Sequence, residues 1–220
     1  MTPEIRLDPA LAGRVSAAWL LLEEAVVRPA TAEQDMAMAE LAVELAARHA
    51  GRAPAEIEGL QAARRLYHAA GVDPTRTRPS SEALLRRVLK GQGLPRVSNA
   101  VDAGNELSLR LLLPIGLYDA AHIRGAAVLR LGREGEGYPG IRKEDVHLAG
   151  RLGLFDETGP FGSPTSDSPR TCVTDRTARL LLVIFAPGGH PRALLEEAGR
   201  LGMELFVRWC GARAAAYGIL

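Results

Sequence analysis

Residues 101–119 read VDAGNELSLRLLLPIGLYD. Two polar side chains, Asp102 and Asn105, stand just ahead of an apolar run that ends at Pro114, and Tyr118-Asp119 follow. An aspartate in that place is suited to cap a helix, because its carboxylate accepts from the unpaired amides of the first turn. Asn105 has a similar local option, a cap or an Asx-turn.

Outward from this stretch, the first seventy residues carry helical spacing. Residues 10–27 set Leu11, Val15, Ala18, Trp19, Leu22 and Val26 on one face before Arg28-Pro29 interrupts them. Thr31 and Gln34 have capping-box spacing ahead of a helix over 32–50, which repeats Met36, Ala39, Val43 and Ala47 and stops at Gly51. A third helix is predicted over 54–71, with proline at its start and glycine at its exit. The connector VDPTRTRPSSE follows, with Ser80 as N-cap of a helix over 81–90 whose Glu82 and Lys90 complement its dipole. Residues 126–131 and 179–186 predict strands, and 146–148 and 152–155 predict two shorter ones about a turn at Gly150. ETGPFGSPTSDSPRT predicts a long loop, and 191–210 a closing helix that buries Leu194, Leu195, Ala198, Leu201 and Leu205. Helices, a mixed set of strands, then a helix imply an α+β fold.

Composition narrows the function classes. A chain of 220 residues, 47% of them hydrophobic, can bury a core as one large domain or a domain with an appendage. A net charge of +1 argues against a globally basic nucleic-acid binder, so any RNA contact has to come from a local patch. One patch stands out: residues 64–96 hold eight Lys/Arg against Asp73 and Glu82. Cys172 and Cys210 have neither CxxC nor metal-ligand spacing, and His49, His68, His122, His147 and His190 are scattered, so no metal site is expected. GREGEGYPG lacks the Lys-Ser/Thr ending of a phosphate loop. No apolar run approaches the ~20 residues of a membrane span and the N-terminus has no signal-like core, so the expectation is a cytoplasmic protein without membrane association.

Residues 101–119 resemble the B3/B4 region of the phenylalanyl-tRNA synthetase β subunit, where the segment reads V-D-x-x-N, an apolar helix, then P-x-H-x-[FY]-D. GVDPTRTRPSSEALLRRVLKG is similar to the entry segment of stand-alone B3/B4 proteins. VLRLGREGE is similar to V-x-R-x-A-x-E-G-E, and TCVTDRTARLLLVI to V-T-x-x-T-x-x-[LV]-[LF]. The resemblance covers residues 64–211. It implies B3/B4-like mixed β-sheet layers flanked by helices over 61–220, with an N-terminal helical extension over 1–60.

The family's unit removes the wrong amino acid from mischarged tRNA. The resemblance therefore implies a stand-alone protein that binds tRNA or aminoacyl-tRNA and hydrolyses the mischarged ester in trans, without a cofactor. The alternative is a non-catalytic module, binding RNA or an amino-acid-like small molecule, that kept the fold and lost the editing residues. By the match of motif positions Asn105 would hold the amino acid, with Asp102 beside it. Ser168, Arg170 and Thr171 match an S-x-R-T-x-V-T run of stand-alone members and would shape the ester site. Their other reading is an exposed loop making local turns. Arg78, Arg86, Arg87 and Lys90 would contact RNA phosphates; their other reading is a solvated charged face. No catalytic residue is assigned. Gly116 stands where the motif carries histidine, and Asp167 is not given the family's discriminating glutamate role because its loop, SPTSDSPRT, departs from the Gly-rich form.

Overall fold

The computed structural model describes residues 4–141 and 145–220. The chain runs β1 (Ile5–Leu7), β2 (Val15–Glu23), α1 (Ala32–Arg48), α2 (Glu58–Ala69), α3 (Ser80–Leu89), α4 (Asn99–Leu111), β3 (Ile115–Asp119) and β4 (Ala127–Leu131). It continues through β5 (Gly137–Pro139), β6 (Asp145–His147), β7 (Leu152–Asp156), β8 (Gly159–Gly162), β9 (Leu180–Pro187), α5 (Arg192–Cys210) and β10 (Arg213–Ile219). The fold is α+β, as the element pattern implies.

The central sheet has the order β10-β2-β9-β3 with antiparallel neighbours. All eight residues of β9, LLLVIFAP, are buried, so both of its faces need a cover. Leu180, Leu182 and Ile184 meet α4 and α5 on one side. Leu181, Val183 and Phe185 meet the second sheet, β1-β4-β7-β8, and the end of α2 on the other. β1 joins β4 in parallel, and the remaining pairs of that sheet are antiparallel. β5 and β6 form a small separate ribbon. A third apolar cluster lies outside the helical layer, where Met38, Leu41 and Leu45 of α1 pack with Leu84, Leu85 and Val88 of α3 and Leu109 of α4.

The first sixty residues are not a helical extension. Residues 15–23 form the strand β2, paired along its length with β9, in place of the helix predicted over 10–27. The reason is burial. VSAAWLLLE is covered on both faces, and a strand of that kind is a nearly continuous apolar run that helical spacing also fits. The helix of 32–50 is present as α1, capped by Thr31 Oγ1 accepting from Gln34 N at 3.3 Å, but it is turned the other way round. Met38, Leu41 and Leu45 are buried, while Met36, Ala39, Val43 and Ala47 face solvent. Gln34 does not close a capping box; its side chain donates to Asn99 O at 2.9 Å. Pro79, not Ser80, precedes α3 as its cap residue. The predicted long loop contains β8, which pairs with β7. β1, β3 and β10 carried no strand expectation, the Ala-rich β10 (RAAAYGI) least of all.

Asn99 joins the layers. Its Oδ1 accepts from Arg28 N and Ala100 N, each at 2.9 Å, and its Nδ2 donates to Val26 O and Trp209 O, each at 2.8 Å. The exit of β2, the first turn of α4 and the last turn of α5 are thus tied to one buried amide whose donors and acceptor are all used. Asn99→Ala leaves several buried backbone groups unpaired. The expected cost is about 3 kcal/mol in urea unfolding, with the melting temperature lower by roughly 10 °C.

Candidate functional site

β3 carries the segment that decides the site. Alternation along the strand sends Ile115 and Leu117 to the helical side, where they join the cluster of Ala103 and Leu107. It turns Gly116 and Tyr118 toward the space between the sheets, and Tyr118 belongs to the cluster there. The Tyr118 ring is fully buried, edge-on to Phe161 with centroids 5.2 Å apart. A Cβ added at Gly116 would come within 2.3 Å of the Tyr118 hydroxyl, and one at Gly162 of β8 within 2.3 Å of its ring. Both glycines are therefore the flanks of one tyrosine. The place of the motif histidine is not vacant room; a neighbouring ring fills it.

The Tyr118 hydroxyl is buried without a hydrogen bond of ordinary geometry, although the Asp167 carboxyl faces it. Burial, with the charge of Asp167 beside it, holds the phenol well above its usual range. Asp167 is brought there by a bridge between its backbone and Gly162. The residue keeps some exposed surface, but its carboxyl is desolvated and pushed up to about 7, despite the Tyr118 hydroxyl that favours its charged form. Tyr138 closes the group, its hydroxyl 3.1 Å from Ser163 Oγ.

The predicted loop residues converge here, but as structural parts. The Arg170 guanidinium is clamped on Asp156 through bonds of 2.8 and 3.0 Å and also donates to His122 O and Gly159 O. Burial pushes the Asp156 carboxyl up, but the bonds from Arg170, Arg124 N and Thr158 outweigh it and hold the group below its usual value. Ser168 is buried and its Oγ accepts from Arg170 N at 3.2 Å. Thr171 is buried and donates to Phe161 O at 3.0 Å. Asp119 receives the far end of the segment, accepting from Thr177 Oγ1 at 2.7 Å and donating its N–H to Thr171 O at 2.8 Å. His122 is exposed, its Nδ1 3.4 Å from Asp119 Oδ2.

Asp102 and Asn105 lie elsewhere. Ser98 caps α4, its Oγ accepting from Val101 N at 3.3 Å. Asp102 sits inside the helix, in place of the expected capping position, and reaches back to accept from Val97 N at 3.2 Å. Its buried Oδ2 has no hydrogen bond and lies 3.4 Å from Arg96, which also pairs with Asp35. Burial raises the Asp102 carboxyl above its usual value, with Val97 N and Arg96 only partly opposing. Asn105 is half-buried and shares a helix stripe with Leu109 and Leu112, which pack in the outer cluster of α1 and α3. That stripe and the Gly116 side of β3 belong to opposite sides of the central sheet. The two halves of the site expected from the sequence are not brought together.

The basic segment is organised by an acid. Glu82, 1% exposed, receives Arg64 through bonds of 2.8 and 2.9 Å and Arg86 at 2.9 Å, with Arg78 at 3.6 Å. Burial pushes the Glu82 carboxyl up, and the arginines more than reverse that, leaving it below its usual value. Arg87 donates twice to Gly93 O, holding the turn after α3, and Lys90 is exposed. Among the described residues there is no group of three His, Cys, Asp or Glu able to hold a metal ion, and no helix long and apolar enough to cross a membrane.

The groups that sequence reasoning missed are Tyr118, Asp167 in its actual place, Asp156 and Glu82. One signal was readable. Gly116 stands two residues before a tyrosine, so a strand there puts both on one face with the glycine making room for the ring.

The B3/4 domain family matches the chain over residues 62–202, more than half of it. No curated protein matches the sequence. Among solved structures, the chain is similar to an N-terminal fragment of the phenylalanyl-tRNA synthetase β-subunit from Pyrococcus horikoshii, at 12% identity and a TM-score of 0.48. That match covers 97% of this chain and 50% of the fragment, so the chain spans about half the fragment's length.

Two outcomes follow from the geometry around Tyr118. Gly116→Ala should cost about 2 kcal/mol by overpacking, and most of that cost should vanish in a Tyr118→Ala background, giving a clear coupling in a double-mutant cycle. Asp167 sets a pH dependence. Its folded pKa of about 7 lies above the ordinary aspartate value. Between the two, the unfolded chain releases a proton that the folded chain keeps, so wild-type stability falls as pH rises through this window and is level above it. Asp167→Asn does not titrate and should gain on wild type by a few kcal/mol between about pH 4 and pH 7, read from urea unfolding at the two ends.

Proposed function

The chain belongs to the B3/4 domain family, and from that membership we propose that it is a module that binds an aminoacyl compound, free or attached to tRNA, without hydrolysing it at β3. One observation carries this reading: the Tyr118 ring occupies the room beside Gly116. Ester hydrolysis needs a held substrate, a placed water and donors aimed at the developing oxyanion. At the position of the motif histidine this chain offers neither a side chain nor space for one. Asn105 is the residue proposed to hold the amino acid, supported by a half-buried amide with no hydrogen-bond partner among the described residues. Asp102 lies one turn away on the same helix. Ser168, Arg170 and Thr171 belong to the Tyr118 side of the central sheet and take no part in that contact. Lys90 and Arg87 supply RNA contact, with the outer edges of Arg78 and Arg86 beside them, since several arginines around one Glu82 leave that surface positive.

A second reading, hydrolysis of mischarged aminoacyl-tRNA in trans, is favoured by Asp167. A carboxyl near 7 has the affinity for protons that suits a general base. The two readings separate in one experiment, the incubation of wild type, Asn105→Ala and Asp167→Asn with a panel of correctly and wrongly charged tRNAs. The binding reading expects no turnover above background and salt-sensitive binding. Asn105→Ala should weaken the charged species about tenfold more than the uncharged one. Arg87→Ala with Lys90→Ala should lower the slope of log affinity against log salt by about 1 to 2. Turnover that collapses in Asp167→Asn would move the assignment to trans-editing. A folded protein with neither binding nor turnover would sink both.

A further inference from the structure

Residues 163–168 fold as a short turn over the space between the sheets. The turn rises from buried Ser163 to exposed Thr165 and returns through half-buried Asp167 to buried Ser168. It is closed on itself, since Ser163 Oγ accepts from Thr165 N at 3.3 Å and from Ser166 N at 3.1 Å. Ser163 N donates to Ser166 O at 3.1 Å and Ser168 N to Phe161 O at 3.3 Å, the two bonds around the bridge between Gly162 and Asp167. Two tyrosine hydroxyls supply further ties, Tyr67 to Pro164 O at 2.7 Å and Tyr138 to Ser166 O at 2.5 Å. Pro164 and Thr165 border a recess of about 10 Å³ that His147 and Arg151 also line.

Beneath the turn, the Asp167 carboxyl faces the Tyr118 hydroxyl, which is buried and makes no hydrogen bond of ordinary geometry. A carboxylate in that gap exchanges its water for one poorly aligned phenol, whereas a protonated carboxyl loses far less. Asp167 as a residue already reaches the surface, so a swing of one turn returns its side chain to water without unfolding either sheet. We propose that residues 163–168 are a pH-sensitive lid, closed over Tyr118 while the Asp167 carboxyl keeps its proton and lifted once that proton has passed to solvent. No covalent bond in the chain changes. The lid is independent of the aminoacyl-binding reading, because its opening is measured without any ligand.

The groups around the turn leave Asp167 as its titrating centre. Tyr118 of β3, Tyr138 of β5 and Tyr67 of α2 meet it, and burial holds all three phenols above their usual range. β8 has no charged residue. Arg170 lies over the Phe161 ring at 5.7 Å but is clamped on Asp156 of β7, and Arg130 of β4 pairs with Glu136. His147 of β6 and Arg151 are exposed at the outer recess, with Asp145 exposed at the other end of β6. His147 supplies the control, because histidine charge also changes near neutrality. Burial pushes the Asp167 carboxyl up to about 7, which places the opening near neutral pH.

The test is hydrogen exchange of the full chain by NMR from about pH 5 to about pH 8, corrected for the intrinsic pH dependence of amide exchange, with and without low urea. The Ser163, Ser166 and Ser168 amides should exchange through an opening that low urea leaves unchanged. Its equilibrium constant should rise about tenfold per pH unit up to about pH 7 and then level. The β9 amides should exchange only through urea-sensitive unfolding. Asp167→Asn should hold the opening at its low-pH value throughout, and His147→Gln should leave the wild-type profile in place. Tyr118→Phe removes the hydroxyl that favours the charged carboxyl, so its opening should go on rising past the pH at which wild type levels. An opening constant that is flat in wild type, that keeps its slope in Asp167→Asn, or that is unmoved by Tyr118→Phe overturns the proposal. So does exchange of the turn amides only together with those of β9.

Discussion

β2 and β9 are neighbours in the middle of a sheet, and β9 is buried along its whole length. A strand pair with that much apolar surface cannot stand in a two-layer fold with one wet face. It requires helices on one side and a second sheet on the other, which the chain supplies from segments far apart in sequence. The rest of the architecture follows from that demand. α4 and α5 close the helical side, β4, β7 and β8 close the other, and α1 and α3 have to find their own cluster outside α4. Asn99 fixes the join where β2, α4 and α5 meet, because its amide uses every hydrogen-bonding group it has.

Several buried carboxylates in this protein are accompanied by arginines, and that decides how their polar partners should be understood. Glu82 collects Arg64, Arg86 and Arg78; Asp156 collects Arg170; Glu106 takes Arg110 and the Trp209 indole N–H. Removing one partner of such a pair leaves a buried charge uncompensated, so these groups are held in place by the cost of separating them. Residues that read as ligand contacts or phosphate contacts in the sequence, Arg170 and Arg86 among them, are therefore first of all structural. The exceptions are informative. Tyr118 and Asp167 face each other between the sheets with no arginine paired to them among the described residues, and burial pushes the Asp167 carboxyl up to about 7.

Membership of the B3/4 family was legible from four short segments that stand in the family's order. The site was less legible. Motif spacing placed Asn105 and Gly116 in one stretch of nineteen residues, but it could not tell that the helix carrying the first and the strand carrying the second would address opposite sides of the sheet. Nor could it tell that a tyrosine two residues on would fill the room at Gly116.

What the sequence determined by itself was local: the α+β class, the Thr31 cap of α1, the approximate extents of α1, α2, α3 and α5, the strands at β4 and β9, and the absence of a histidine at 116. These depend on neighbours within a turn or a strand, where spacing and side-chain type are sufficient. Tertiary structure decided the rest. Residues 10–27 have helical spacing yet form β2, since two covered faces favour a strand in that run. α1 has two apolar stripes, and periodicity chose the one that faces solvent, because a repeat of Met36, Ala39 and Val43 is as regular as one of Met38, Leu41 and Leu45. Which stripe is buried depends on where Leu84, Val88 and Leu109 arrive from elsewhere in the chain, and that is a property of the assembled layers alone.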